Sequence, residues 1–296
     1  MCTNRYSETV ATLAVAGVLC WVNVAAAQEE EAPPAPPPRH LLGWPAAPLE
    51  DPLVTDRPDF TESTLTVPYG HFQLEGGYTF TYDREHHDRR REHTAPELLL
   101  RVGIVEDFEL RFGWEGYAVT SSNFRTRNDK DRIVSREEWD QGARDVDIGF
   151  KLGLVKEEGL RPALAVIGSL STPSGSPNQT VGDVEPSAAL LWSHSLGERL
   201  SLAGQFIIAA PIGDEGRFVQ TAASISLGVA LTERWGAYFE YFGFYPNTER
   251  TDSAHSLNGG VTYLITDNFQ VDMRAGFGLN EEADDFFSGV GFAWRF

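Results

Sequence analysis

From His71 onward, apolar residues recur at every second position in one segment after another, and this periodicity constrains the fold more than any other feature. Side chains of a strand alternate between its two faces, so each such segment has one water-averse face and one polar face. The first sets Phe72, Leu74, Tyr78, Phe80 and Tyr82 against Gln73, Glu75, Thr79 and Thr81. The third sets Phe108, Leu110, Phe112 and Trp114 against Glu109, Arg111 and Glu115. The fourth opposes Val146, Ile148, Phe150, Leu152 and Leu154 to Asp145, Asp147 and Lys151, and the eleventh opposes Phe269, Val271, Met273 and Phe277 to Gln270, Asp272 and Arg274. Helical spacing fits none of these rows. The count is about twelve segments of about ten to fourteen residues, and the fold class is all-β.

Connections between the segments alternate in length. Glu106-Asp107, 156–159, 197–199, 232–234 and 266–268 are short polar turns, whereas 84–93, 119–141, 172–182, 211–216, 246–253 and 280–285 are longer polar excursions. Short turns at one rim and long loops at the other are the pattern of an antiparallel transmembrane barrel of the outer membrane, with the short side in the periplasm. A soluble sandwich or barrel also alternates, with its apolar face turned inward. Aromatic residues near segment ends, among them Trp114, Tyr117, Trp192, Trp235, Tyr263 and Trp294, suit the interfacial girdles of a membrane barrel. The last segment, with Phe286, Val290, Phe292, Trp294 and Phe296 on one face, resembles the closing strand of bacterial outer-membrane barrels. That resemblance implies that Phe292, Trp294 and Phe296 form the signal read by the barrel-assembly machinery.

Residues 1–27 read as a secretory signal: Arg5 near the start, a mostly apolar run over 10–22, and Ala25-Ala26-Ala27 before Gln28. The apolar run is shorter than the ~20 residues a spanning helix needs. Both cysteines, Cys2 and Cys20, fall within this stretch, so a chain beginning near Gln28 has no thiolate chemistry. Residues 28–54 open with the acidic, proline-rich QEEEAPPAPPP and read as a periplasmic linker; 55–70 form a lead-in segment, and 71–296 the barrel. A net charge of −19 argues against nucleic acid as a partner.

The lead-in segment carries Thr55-Asp56-Arg57-Pro58-Asp59-Phe60-Thr61-Glu62-Ser63, followed by TVPYGHFQLEGG over 66–77. With Gly149-Phe150-Lys151 and the Gly-Phe-Ala-Trp-Arg-Phe ending, this resembles the outer-membrane transporter family labelled MetA-pathway of phenol degradation, over roughly 55–296. The resemblance implies a barrel and uptake of aromatic compounds. Asp56, Arg57, Asp59 and Glu62 argue against a lipid-facing strand here. Two placements remain: the segment folds back into the periplasmic mouth with Arg57 on a lumen carboxylate, or it is an ordered turn that guides the first strand into register. Its size favours narrowing the pore over plugging it.

If the aromatic faces meet lipid, the opposite faces line the lumen. One side is charged, with Glu75, Glu97, Arg101, Glu109, Arg111, Glu115, Asp145, Asp147, Lys151, Asp272 and Arg274. Another is largely apolar, with Ala163, Ala165, Ile167, Ala189, Leu191, Ala203, Ile207 and Ala209, then Tyr238, Phe242 and Phe244. Such a wall either passes an amphipathic solute or neutralises itself across a filled interior. Carboxylates outnumber cations, so an open pore leans toward cations. His194-Ser195 and His255-Ser256 are the only adjacent His/Ser pairs, and neighbours on a strand point to opposite faces, so no enzyme, cofactor or metal site is expected. His86, His87 and His93 lie among Arg84, Arg89, Arg90 and Arg91, cations suited to lipopolysaccharide phosphates rather than to a metal. The expected function is a passive outer-membrane channel for small solutes, whose partners are membrane lipid, lipopolysaccharide, the assembly machinery and the solute. The alternative is a non-conducting structural or adhesive barrel acting through its external loops.

Overall fold

In the computed structural model, the described residues are 43, 45–85, 88–127, 133–213, 216–247 and 252–296. The signal stretch 1–27, linker residues 28–42 and 44, and His86 and His87 lie outside them. All described residues belong to one unit, Pro37–Phe296. Its strands in chain order are β1 (Phe72–Asp83), β2 (Arg89–Val105), β3 (Phe108–Trp114), β4 (Tyr117–Arg127), β5 (Ile133–Ala143), β6 (Val146–Val155), β7 (Ala163–Thr172) and β8 (Glu185–Ser195). There follow β9 (Leu200–Ala209), β10 (Ile212–Gly213), β11 (Gly216–Arg217), β12 (Gln220–Ala230), β13 (Trp235–Pro246), β14 (Ala254–Thr266), β15 (Phe269–Gly278) and β16 (Phe286–Arg295).

Twelve of these close into an antiparallel barrel, all but β4, β5, β10 and β11. Closure is made by β1, which pairs with both β2 and β16. Phe72 and Phe296 exchange a pair of backbone hydrogen bonds, each 2.9 Å, and their rings stack 5.8 Å apart. The short connections fall where the polar turns predict them, after β2, β6, β8, β12 and β14.

Burial is inverted relative to a soluble protein. Outward side chains include Phe206, Phe239, Met273, Phe277, Val290 and Trp294, each half exposed or more. The inner faces carry Gln73, Glu75, Arg101, Glu109, Lys151 and Glu240, none above 1% exposed. A wall with its apolar side out requires a hydrocarbon surrounding, and closure satisfies the backbone groups that hydrocarbon cannot. A small apolar cluster of Ala165, Ile167 and Leu191 lies inside, on the arc of small residues.

Two of the expected loops are strands. Within 119–141, expected as a polar loop, the described residues belong to the paired strands β4 and β5, and β4 pairs along Arg89–Ala95 of β2. Likewise β2 begins at Arg89, inside the first expected loop. Thr120, Ser121, Ser122 and Asn123 are polar on both faces, so a strand there leaves no apolar period. Phe239 sits mid-strand on the outer face of β13 and is 58% exposed. Phe239→Arg is expected to destabilise the barrel by about 2–4 kcal/mol in reversible urea unfolding from lipid vesicles; a neutral outcome would show that this face does not meet hydrocarbon.

Candidate functional site: a segment clasped inside the barrel

Residues 45–71 run through the barrel from the short-turn rim and bond to its wall on every side. At the rim, His71 Nε2 meets the Ala47 carbonyl at 2.9 Å, Leu53 N–H donates to the Asp267 carbonyl at 2.7 Å, and Arg295 donates to the Asp51 carbonyl at 2.7 Å. Ala46, Leu53 and Val67 are buried there.

The centre of the arrangement is Asp56. Lys151 Nζ donates to both its carboxylate oxygens at 2.8 Å, while Arg111 and Arg101 approach Oδ2 at 2.5 and 3.2 Å. Arg101 also binds Glu109 at 2.8 Å and Glu75 at 3.0 Å, and Arg111 binds Glu62 at 2.7 Å. Four carboxylates (Asp56, Glu62, Glu75, Glu109) thus surround three cations on β2, β3 and β6. Buried charges persist only when paired and hydrogen-bonded, and here the donors left over bind carbonyls of the segment. Arg101 donates to Leu65 and Lys151 to Ser63, each at 2.8 Å.

The segment's own N–H groups complete the fit. Asp56 N–H donates to Glu75, Val67 N–H to Glu109 at 2.7 Å, and the Phe60 and Thr61 N–H groups to Glu240 at 2.8 and 2.6 Å. Gln205 takes the Glu62 N–H at 3.2 Å and donates to the Phe60 carbonyl at 2.6 Å. Thr61 and Thr64 hydroxyls meet Ser224 and Ser193 at 2.6 and 2.8 Å. A chain without secondary structure has its polar backbone groups satisfied by wall side chains, as burial demands.

Arg57 pairs with Glu97 at 3.4 Å and Asp272 at 3.5 Å, both carboxylates of the lumen wall. Gly77 and Gly291 make room for it, since a Cβ on either would stand 2.4 Å from its side chain. Arg274 donates to the Pro58 carbonyl at 2.9 Å, and Ser226 to Asp59 at 3.3 Å. The segment is therefore not a register-setting turn, and it fills the section that its length suggested it would only narrow. The near-zero exposure of Glu75, Arg101, Glu109, Lys151 and Glu240 records that occupancy.

Other residues singled out from the sequence take different places. Asp147 and Glu115 line a chamber on the long-loop side, where Arg144 reaches Glu115 at 3.4 Å. Asp145 instead anchors the 172–182 loop, accepting from Gly175 N–H at 2.7 Å and Thr180 at 3.1 Å. Tyr238 donates to Asn258 at 2.6 Å, Phe242 stacks on Phe60 at 4.6 Å, and Phe292, Trp294 and Phe296 lie on the outer face of the closing strand and its end. Glu240 went unread, although it lies in phase between Tyr238 and Phe242.

His93 meets the Tyr78 hydroxyl at 2.8 Å, and His255 that of Tyr241 at 2.8 Å. Ser195 donates to Glu157 at 2.9 Å rather than to His194, and its hydrogen bonds hold Glu157 below the usual carboxylate range. No metal-holding group of His, Cys, Asp or Glu occurs among the described residues.

The sequence pattern of one protein family, described as MetA-pathway of phenol degradation, matches residues 55–296. No curated protein matches. Among solved structures, an outer-membrane channel from Pseudomonas putida F1 is similar at 14% identity and TM-score 0.57, over 81% of this chain and 99% of that one. The KdgM porin is similar at 12% identity and TM-score 0.46, over 76% and 99%. The translocator domain of the autotransporter NalP from Neisseria meningitidis follows at 10% identity and TM-score 0.48, over 76% and 88%. At 14% identity the likeness to the Pseudomonas putida channel shows the barrel fold alone.

Asp56→Ala removes the shared partner of Arg101, Arg111 and Lys151. The uncompensated charges are expected to cost about 3–5 kcal/mol, raising cleavage of 55–66 by a broad-specificity protease about 100-fold or more. Asp59→Asn leaves Asp56 and its three cations in place and is expected to change cleavage less than about tenfold. Equal rates for the two variants would contradict the assignment of Asp56 as the clasp.

Proposed function

Because this chain belongs to the MetA-pathway of phenol degradation family, we propose that it is an outer-membrane channel for small amphipathic solutes, aromatic ones among them, whose conducting state requires the lead-in segment to shift. The observation that carries this is the seated segment. Apart from the Phe60 ring and the few apolar side chains at the rim, it is held by hydrogen bonds and ion pairs, which can be exchanged for water as the segment moves, whereas an apolar plug would have no such substitute. The wall it leaves holds both charge signs beside an arc of small apolar residues, a surface suited to amphipathic molecules. Export through an N-terminal signal, assembly by the barrel machinery and contact with lipopolysaccharide complete this reading. Passive diffusion rather than catalysis is its mechanism.

Thr61 Oγ1 and Ser224 Oγ stand 2.6 Å apart, across the gap between segment and wall. The only native cysteines are Cys2 and Cys20, so the double variant Thr61→Cys/Ser224→Cys offers a clean cross-link. In planar bilayers the oxidised protein is expected to carry less than about a tenth of the current seen after reduction. Equal currents in both states would mean that solute and ions do not pass through this section. Absence of current in both, with the barrel folded, would favour the alternative, an external-loop protein presenting Trp139 of the β4–β5 hairpin, which is 68% exposed.

A further inference from the structure

On the long-loop side of the seated segment, two cavities lie side by side and share Thr79, Thr81 and Asp284. One, of about 330 Å³, is a slot with one wall of packed rings, Phe60 of the segment with Phe242, Phe244 and Phe287 of the barrel, and with Arg274 and Glu282 also lining it. The rings of Phe60 and Phe242 are 4.6 Å apart, those of Phe60 and Phe244 5.3 Å, and those of Phe242 and Phe287 6.1 Å. Its volume lies within the ~300–1,000 Å³ span of small-molecule sites. The other, of about 490 Å³, is lined by Glu92, Glu97, Glu115, Asp147 and Asp284, with Arg57 and Arg144 as its only cations.

Both of those guanidinium groups are already engaged. Arg57 pairs with Glu97 and Asp272, and Arg144 with Glu92 and Glu115. Asp147 and Asp284 form no ion pair with any described residue, and of the nearby cations Arg90 acts on Asp284 only through its field. Arg274, at the floor of the slot, donates to the Pro58 carbonyl at 2.9 Å and to Thr79 at 3.3 Å, and its guanidinium carbon lies 5.8 Å from the centroid of Phe287. Its charge also acts on Glu240 and Asp272 beneath it, so an incoming anion would meet more carboxylate than guanidinium. Asp284 is held in place: the Gly278 N–H donates to its carbonyl at 2.9 Å, and neighbouring Ala283 is buried.

A ring-lined slot opening onto unpaired carboxylates selects by shape and by sign together. The faces of aromatic rings attract cations, and the attraction grows where water is excluded. We propose that the paired cavities are a docking site for a small aromatic cation, its ring in the phenylalanine slot and its protonated amine turned toward Asp284 and Asp147. The assignment rests on the reading of the chain as a solute channel and names the charge class of solute it takes up. Phe60 belongs to the lead-in segment, so the site is complete only while the segment is seated, and a bound solute favours that state.

The test is calorimetric titration of the full chain, folded in detergent, with three probes of matched size: 2-phenylethylammonium, 2-phenylethanol and phenylacetate. The ammonium is expected to bind about tenfold or more tighter than the alcohol, and phenylacetate weakest. Asp284→Asn/Asp147→Asn should reduce the ammonium preference to about threefold or less while the alcohol's affinity moves less than about twofold, and Phe287→Leu should weaken both. Folding of each variant is checked by its heat-dependent mobility on gels. Tightest binding of phenylacetate would overturn the proposal in favour of Arg274 as the recognising group. Equal binding of all three probes, or binding of none, would also overturn it. Because titration needs no current, a folded protein that binds the ammonium yet never conducts would count against the channel reading and leave the site standing.

Discussion

Asp56 binds Lys151, Arg101 and Arg111 within a cross-section that water barely reaches, and the interior of the barrel is organised around that clasp. Each side of the arrangement carries an electrostatic or desolvation cost without the other. Three cations on adjacent strands would repel one another across a narrow lumen, and Glu75 and Glu109 reach only Arg101 and Arg111 among them directly. The segment, for its part, has no secondary structure to satisfy its backbone. Each supplies what the other lacks, which makes the segment part of the barrel's polar core.

That polar core is the consequence of turning a β-sheet inside out. Hydrocarbon takes the apolar faces, so the packing that holds a soluble protein together from within is replaced here by hydrogen bonds and ion pairs. Such contacts are directional, and they hold a seated chain in one register while allowing its groups to be re-solvated singly. A barrel built this way can hold a segment of its own chain inside it without an apolar plug. The aromatic slot beyond the seat is the exception, and there Phe60 ties the segment to the rings of the wall.

The barrel was legible because two geometric demands coincide in the sequence: the pleat imposes period two, and the membrane fixes which face is apolar. Arg101, Glu109, Arg111 and Lys151 could be placed in the lumen on those grounds, whereas the pairing of Arg57 with a wall carboxylate was one of two open placements. What remained hidden had no period. The 55–67 stretch folds by meeting side chains brought from β1, β9, β13 and β15, far apart in sequence, and nothing local signals that meeting. Glu240 was overlooked among aromatic neighbours for the same reason, since its partners Phe60 and Thr61 lie about 180 residues away. The β4–β5 hairpin, polar on both faces, read as loop.

Amide hydrogen exchange of the folded protein in lipid tests the central claim most directly. The N–H groups of Asp56, Phe60, Thr61, Glu62 and Val67 each donate to a wall side chain. Slowing of these amides by about 1,000-fold or more relative to unstructured chain is the predicted result. Exchange of 55–67 at the free-chain rate, with the barrel strands protected, would show that the segment is not seated and would contradict the account.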